Sequence, residues 1–338
     1  MYRWLLAVVA VCCLGAAQNG RAQDEASSPV FKVKSHIVLL PVTVRNSKNE
    51  LMQSLTRDDF ELFEDGRPQK IRYFDLEKDR PLTLGLMVDM SGSVKDFVSK
   101  EHEASNVFFD EMLRKPGDTA FLVRFDTAVT MLQPPTGSRD KLRAGVARLE
   151  EPHQPQRAFN DPTGASTKGI EQPGTLLYDA IVVVSDMVSK QLPGRKALVI
   201  LSDGEDWGSQ KSLAAAIEAA QQADTVIYTI LYTNRGGVKD PPHFAGAPHL
   251  AFDKNTKLTG ANVLELLAQT TGGHAYEVSK ATPLEAIYVN IAEEMRMQYT
   301  LAYTPAPSQA KPGYRKILLK TKDKSLQIQT RFGYYAKE

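Results

Sequence analysis

Five oxygen-bearing side chains in three separate segments of the chain have the chemistry of a divalent-cation site. The first segment, Asp89-Met90-Ser91-Gly92-Ser93, carries one carboxylate and two hydroxyls on alternate residues. Thr175 and Asp203 add a further hydroxyl and a second carboxylate from much later in the chain. Carboxylates and hydroxyls are hard oxygen donors, which suit Mg²⁺, Mn²⁺ or Ca²⁺ rather than zinc. The residue types therefore predict a cation site if the fold brings the three segments together.

The sequence around these residues alternates between predicted strands and predicted helices. Residues 82–88 form a nearly continuous apolar run, which is typical of a parallel strand buried on both faces. Further strands are predicted at 119–123, 197–201, 225–231 and 273–278, and helices at 94–112, 177–190, 211–222 and 283–297. The alternation indicates a doubly wound, mostly parallel α/β sheet, which is a Rossmann-like arrangement.

Such a sheet would bring the distant polar residues together. Ligands of doubly wound sheets bind beyond the carboxyl ends of the strands, at the point where the strand order reverses. Asp89 stands at the end of the first core strand and Asp203 at the end of a later one, while Thr175 lies just ahead of a predicted helix. We therefore expect the five side chains to converge from three loops.

Sequence with a β pattern flanks this unit on both sides. Val38, Leu40, Val42 and Val44 alternate with other residues, as in a strand with one buried face, and residues 326–332 alternate in the same way. A hairpin is predicted from strands at 60–63 and 71–74, with its turn at Asp65-Gly66. Neither flank has enough strands to close a sandwich, so residues 30–79 and 299–338 are predicted to build one β-sandwich around an inserted α/β domain at 80–298.

The first 22 residues have the pattern of a secretory signal peptide. Arg3 precedes an apolar run at 4–14, and small residues follow, with Gly20-Arg21-Ala22 matching a cleavage site. The run is shorter than the roughly 20 residues that span a bilayer, so no stable membrane span is expected. The pattern predicts export to the periplasm or the outside of the cell. An uncleaved N-terminal helix and a lipid-modified Cys12 are the alternatives.

The composition excludes several classes of protein. Hydrophobic residues make up 42% and charged residues 24% of the chain, which is ordinary for a globular protein and disfavours disorder. The formal net charge is +1, and removal of residues 1–22 leaves 39 basic against 40 acidic residues. A nearly neutral chain has no global field for nucleic acid, so no nucleic-acid partner is expected.

The three polar segments together resemble the von Willebrand factor A (VWFA) domain and its metal-ion-dependent adhesion site. In that family D-x-S-x-S is followed by a distant threonine and then by a distant aspartate in a T/S-D-G context, and the likeness covers about residues 80–298. The resemblance implies that Ser91, Ser93 and Thr175 coordinate the cation through their hydroxyls, and that Asp89 and Asp203 act mostly through water.

The flanks add a second likeness, to a bacterial exported family related to VWFA proteins. It is carried by Leu55-Thr56-Arg57-Asp58-Asp59-Phe60 and Glu64-Asp65-Gly66 before the α/β unit, and by Arg331-Phe332-Gly333-Tyr334-Tyr335 after it.

A cation held mainly by neutral hydroxyls and waters keeps much of its charge. It would favour an anionic sixth ligand, most simply an Asp or Glu side chain of a partner protein. The sequence thus predicts a non-catalytic module for protein–protein interaction or adhesion outside the cytoplasm, with Mg²⁺ (or Mn²⁺ or Ca²⁺) as its cofactor.

Two other classes of function are the alternatives to this one. In an aspartate-dependent phosphotransferase or hydrolase of the haloacid dehalogenase type, Asp89 would form an aspartyl-phosphate, but a second aspartate is needed two residues later and Ser91 stands there. The chain also has no G-x-S-x-G elbow, Walker loop or G-x-G-x-x-G fingerprint. The second alternative is a purely structural envelope protein, in which Ser91 or Ser93 only caps a helix.

Other polar residues give weaker signals. Glu205 and Asp206, beside Asp203, fit either additional cation ligands or solvated turn residues. His243 and His249 are two histidines six residues apart without a cysteine, which is poor evidence for zinc.

Overall fold

The computed structural model describes residues 37–76, 78, 80–91, 98–149, 174–192, 194–232, 258–305 and 312–336. All of them belong to one contact unit, which runs from His36 to Glu338. The predicted signal peptide at 1–22, the candidate ligand Ser93 and the pair His243 and His249 lie outside the described residues.

The described chain alternates between strands and helices in its middle part and contains only strands and one short 3-10 turn at its two ends. The strands are β1 (Val38–Arg45), β2 (Phe60–Glu64), β3 (Arg67–Gln69), β4 (Tyr73–Leu76), β5 (Leu82–Asp89), β6 (Thr119–Phe125), β7 (Val129–Thr136), β8 (Arg195–Ser202), β9 (Thr225–Leu231), β10 (Ala275–Glu277), β11 (Tyr299–Tyr303), β12 (Gly313–Thr321), β13 (Gln327–Gln329) and β14 (Gly333–Ala336). The helices are α1 (Val98–Met112), α2 (Arg139–Val146), α3 (Leu177–Gln191), α4 (Leu213–Gln222), α5 (Gly260–Thr271) and α6 (Leu284–Arg296).

Six strands form a central sheet in the order β10-β9-β8-β5-β6-β7. All neighbours are parallel except β6 and β7. From β5 the chain first builds one side of the sheet with β6 and β7, and then returns to the other side of β5 with β8, β9 and β10. The strand order therefore reverses between β5 and β8. The predicted doubly wound, mostly parallel sheet is confirmed.

Helices cover both faces of this sheet. Every residue of β5 is buried, because apolar side chains from both helical layers pack against it. One layer contributes Phe108 of α1, Leu142 of α2 and Ile287 of α6. The opposite layer contributes side chains of α3, α4 and α5, namely Ile181, Ile217 and Leu264. Strand β7 and helices α2 and α5 were not predicted from the sequence.

The two ends of the chain form a pair of antiparallel four-stranded sheets, ordered β13-β1-β11-β4 and β14-β12-β2-β3. Each sheet combines strands that precede the central unit with strands that follow it. The inner faces share one apolar core, in which Leu40 and Leu301 of one sheet meet Leu62 and Ile317 of the other. The β-sandwich built from both flanks, with the α/β unit between them, is thus present as predicted.

The predicted hairpin at residues 60–74 was wrong in its return strand. Asp65 and Gly66 do form its turn, with φ of 48° and 77°, as a two-residue turn requires. A two-residue turn makes the return strand start at once, so β3 pairs with β2. Strand β4 instead crosses to the other sheet and pairs with β11.

A buried ion pair joins the sandwich to the central unit. Nη2 of Arg45, on β1, lies 3.0 Å from Oε2 of Glu294, on α6. The Glu294 side chain is fully buried and that of Arg45 is 20% exposed. The hydroxyl of Tyr276 donates a second hydrogen bond to the same carboxylate oxygen, 3.3 Å away. Removal of one partner of such a pair leaves an uncompensated buried charge.

We predict that Arg45→Met lowers the free energy of unfolding by about 3 kcal/mol, because Glu294 loses its cation in a buried site. Urea denaturation measures the change. Arg57→Met is the control, since Arg57 pairs with Asp58 at an exposed position and should cost less than about 0.5 kcal/mol. Addition of Glu294→Gln should recover part of the loss. Equal costs for Arg45→Met and Arg57→Met would contradict the prediction.

Candidate metal centre

Asp89 ends β5 at the point where the strand order reverses, and its side chain is buried. The Ser202 hydroxyl, at the end of the neighbouring strand β8, donates a 2.6 Å hydrogen bond to Oδ2 of Asp89. The backbone N–H of Ser91 donates to Oδ1 over 2.9 Å, and the Ser91 hydroxyl also bonds to this carboxyl group. These donors fix the orientation of the carboxylate and hold Ser91 beside it.

The electrostatic environment of Asp89 is unfavourable to a negative charge. Burial raises the pKa of Asp89 to about 6, against the opposing effect of the hydrogen bonds from Ser202 and Ser91. The nearby Asp203 carboxylate contributes to this increase. Among the ion pairs between described residues, none joins a basic side chain to either of these two carboxylates, and a bound cation would provide the compensating charge.

The loop that carries Asp203 is held by direct contact between two backbones. Gly204 has φ of +78°, a left-handed conformation that favours glycine. A Cβ on Gly204 would overlap the carbonyl group of Gly260, the first residue of α5. The side chain of Glu205 accepts a 3.3 Å hydrogen bond from the Gly260 N–H. The backbone N–H of Glu205 donates to Oδ1 of Asp203 over 3.1 Å. The start of α5 thus fixes the position of Asp203.

Thr175 is attached to the loops that follow two different strands. It exchanges backbone hydrogen bonds of 3.0 and 2.9 Å with Trp207, in the loop after β8. The next residue, Leu176, donates its N–H to the carbonyl of Asp126, directly after β6. Thr175 is itself buried, with 4% of its surface exposed. These backbone hydrogen bonds therefore place Thr175 at the carboxyl edge of the sheet.

Asp206 caps the start of α3 from a distant loop. Its Oδ1 accepts hydrogen bonds from the N–H of Tyr178, 3.1 Å away, and from the hydroxyl of Ser209, 2.6 Å away. In return, Asp179 of α3 accepts the N–H groups of Gln210 and Lys211. A carboxylate at a helix N-terminus satisfies free N–H groups and complements the helix dipole. Asp206 therefore has a structural contact that neither sequence interpretation foresaw.

Of the five predicted ligands, the structure describes Asp89, Ser91, Thr175 and Asp203. All four lie in loops or strand ends at the carboxyl edge of the central sheet, on both sides of the reversal point. Their donors are carboxylate and hydroxyl oxygens, which fit a hard divalent cation. The described residues contain no cluster of three or more His, Cys, Asp or Glu side chains that could hold a metal. Among the described candidates, a cation at this edge would therefore need the hydroxyls of Ser91 and Thr175 as well as the two carboxylates.

Sequence reasoning missed two residues of this edge. Ser202 donates a 2.6 Å hydrogen bond to Asp89, and its position before Asp203 on the neighbouring strand could have indicated this contact. Trp207 is 66% exposed beside buried Thr175. Nothing local marked Trp207, because its position follows from the backbone pairing with Thr175.

Comparisons with known proteins place the chain near several others without assigning it to a family. No family model matches it. It is 23% identical over 225 residues to UPF0353 protein MAV335 of Mycobacterium avium, which covers 62% of this chain and 59% of that protein. The chain thus spans less than two thirds of the length of this curated relative.

Solved structures of similar shape include BatB from Bacteroides thetaiotaomicron, with a TM-score of 0.43 at 15% identity over 63% of this chain and 97% of that one. The vWF domain of the type V pili tip protein Mfa5 from Porphyromonas gingivalis gives 0.42 at 14% identity over 64% and 95% of the two chains. Likenesses with TM-scores below 0.5 identify neither the family nor the function of this chain.

Among the described residues, no helix is long and apolar enough to cross a membrane.

We predict that Gly204→Ala lowers the free energy of unfolding by more than about 2 kcal/mol, because a Cβ there adds a backbone overlap with Gly260 to the strain of a positive φ. Gly66→Ala is the matched control, since Gly66 has φ of +77° but no atom within 4 Å of its would-be Cβ. Urea denaturation of both variants separates the two effects. If they lose equal stability, the contact with Gly260 contributes nothing.

The pKa of Asp89 gives a prediction for the protein in EDTA. A raised carboxyl pKa means that the folded state binds the proton more tightly than the unfolded chain does. Stability then falls as pH rises from about 4 to about 6, and at pH 7 the ionised Asp89 costs about 3 kcal/mol. Asp89→Asn should therefore raise the free energy of unfolding at pH 7 by about 2 kcal/mol, after loss of about 1 kcal/mol of hydrogen bonding.

Urea denaturation across this pH range measures the effect, and the gain should vanish toward pH 4, where folded Asp89 is protonated and the unfolded side chain is only partly ionised. Asp140→Asn, at an exposed position of α2, should show no such dependence. An Asp89→Asn variant that is less stable than the parent at every pH would contradict the assignment.

Proposed function

We propose that the chain is a non-catalytic interaction module that binds a partner protein through a divalent cation at the carboxyl edge of the central sheet. The observation that carries the proposal is the buried Asp89 carboxylate, which lies at the strand-order reversal beside Ser91 and near a second carboxylate, Asp203. Neither carboxylate pairs with a basic side chain in any ion pair between described residues. A divalent cation supplies that positive charge in the form best suited to oxygen donors.

The proposed ligands are Ser91, Ser93 and Thr175 through their hydroxyls, with Asp89 and Asp203 acting through water. Mg²⁺ is the first choice, and Mn²⁺ or Ca²⁺ would suit the same donors. The bound cation supplies a positive charge that is only partly neutralised by the chain. Asp89 orients Ser91, the candidate ligand next to it, because the Asp89 carboxylate accepts hydrogen bonds from Ser91 and from Ser202. The remaining position is open to a carboxylate of the partner.

The partner is proposed to present an Asp or Glu side chain next to an apolar group. The carboxylate would complete the coordination, and the ring of Trp207 is the nearest exposed aromatic surface on the loop that holds Asp203. Exposed tryptophans that are fixed by their backbone are frequent energetic centres of protein interfaces. The export proposed from residues 1–22 would place this interaction in the periplasm or outside the cell.

The enzymatic alternative has less support from the geometry. A nucleophilic aspartate must reach the substrate, whereas the side chain of Asp89 is buried and both its oxygens accept hydrogen bonds. A phosphotransferase would be indicated by turnover of a phosphomonoester that disappears in Asp89→Asn.

The cation is tested by thermal melting of the full chain with EDTA or with Mg²⁺. At a Mg²⁺ concentration of about 100 times Kd, binding should add about 2.7 kcal/mol and raise Tm by about 5 °C. Asp89→Asn combined with Asp203→Asn should abolish this rise. Asp118→Asn is the control, because Asp118 is also buried but lies at the amino edge beside Arg296. It should lower Tm and keep the Mg²⁺-dependent rise.

Binding of a partner is tested separately. The chain has tryptophan only at Trp4 and Trp207, so in Trp4→Phe the fluorescence reports Trp207 alone. Mg²⁺ should change this fluorescence. In a separate experiment, the immobilised chain should capture proteins from an envelope fraction in Mg²⁺ and release them in EDTA. Capture that resists EDTA and survives Asp89→Asn would contradict a cation-dependent interface. A Tm unaffected by Mg²⁺, Mn²⁺ and Ca²⁺ would contradict the cation site itself.

A further inference from the structure

A cavity of about 440 Å³ lies at the opposite edge of the central sheet from the candidate metal centre. One wall is the outer face of the sandwich sheet that contains β1, β11 and β4. The other is the amino edge of the central sheet, where β8 and β9 begin at Arg195 and Thr225. Its volume is within the range of small-molecule sites.

The sandwich wall of the cavity is apolar and exposed. Leu39, Ala302 and Tyr73 stand opposite one another on three adjacent strands and form a single row across this face. Ile37 extends the row beyond the start of β1. Ile37, Leu39 and Tyr73 are 66%, 37% and 38% exposed, and they are three of the six large hydrophobic residues that are exposed among the described ones. Half of the large apolar side chains that are exposed in the described part of the chain therefore surround this one cavity.

The lining of the cavity carries an excess of positive charge. The described lining residues include four cationic side chains and one anionic side chain, Asp224; the cationic ones are Arg80, Arg195, Lys196 and Arg331. Hydrogen bonds hold two of these arginines in place. Arg331 donates to the carbonyl of Leu39, and Arg195 donates over 2.9 Å to the side chain of Gln298. The cavity therefore combines an apolar face with fixed cationic side chains.

We infer that this cavity binds a small single-tailed amphiphile with an anionic head group, such as a medium-chain carboxylate. The apolar tail would cover Ile37, Leu39 and Tyr73, which removes their exposed surface from water. The anionic head would lie among the arginines, which complement its charge and donate hydrogen bonds to its oxygens. This site is independent of the proposed cation and uses none of its ligands.

Isothermal titration with monomeric dodecanoate, in EDTA, tests the inference on the full chain. We expect saturable binding with Kd below about 100 μM, and at least about tenfold weaker binding of dodecyltrimethylammonium, which has the same tail with a cationic head. No saturable binding of dodecanoate up to about 1 mM, or equal affinity for both head groups, would overturn the inference. Binding only to vesicles of anionic lipid, without binding of the monomer, would also overturn it.

Variants locate the site. Leu39→Glu places a carboxylate among the arginines and removes an apolar contact, so it should weaken dodecanoate binding at least about tenfold. Leu318→Glu is the matched control, because Leu318 is 44% exposed on β12 in the other sheet, and it should leave binding unchanged. Arg80→Gln, compared with the exposed Arg67→Gln on β3, tests the charge separately if Leu39→Glu fails to fold. If Leu39→Glu and Leu318→Glu change dodecanoate affinity equally, or if Arg80→Gln and Arg67→Gln do, the amphiphile binds elsewhere.

Discussion

The buried carboxylate of Asp89 is the constraint around which the carboxyl edge of the central sheet is arranged. An ionised group at that depth is unfavourable unless donors or a positive charge compensate it. The chain supplies the hydroxyl of Ser202 and the N–H of Ser91. These compensate only part of the cost, since the pKa of Asp89 stays at about 6. An energetic deficit of this kind is consistent with a site adapted to a ligand of opposite charge, and stability alone would have favoured an apolar residue.

Backbone and capping contacts also hold the surrounding loops, in addition to the hydrogen bonds that the Asp89 and Asp203 carboxylates accept. Gly204 packs against Gly260 at the start of α5, and Asp206 caps the start of α3. Thr175 is held by backbone pairing with Trp207. These contacts fix the segments that carry the candidate ligands at the carboxyl edge of the sheet. Preorganisation of this type reduces the entropy lost when a ligand binds.

The sequence predicted those features that have a local signal. The apolar run at 82–88 identified β5, and its position before Asp89 placed the carboxylate at the strand end. Other features depend on contacts between distant segments and have no such signal. The return strand of the first hairpin was misplaced because the β pattern at 71–74 belongs to a strand of the other sheet, and β3 is short and contains Pro68. The hydrogen bond from Ser202 to Asp89 likewise depends on the pairing of β8 with β5.

The insertion of the α/β unit into the sandwich also explains which edge of the sheet is open. The chain enters this unit at Leu82, the amino end of β5, and leaves it through α6, which returns from the carboxyl edge after β10. Both connections therefore reach the amino edge, where Gln221 of α4 donates to the carbonyl of Gly333 in the sandwich. The sandwich strands are thus attached at the edge opposite to Asp89. The described sandwich strands therefore leave the carboxyl edge uncovered, while the space at the amino edge becomes the cavity lined by Leu39 and Arg195.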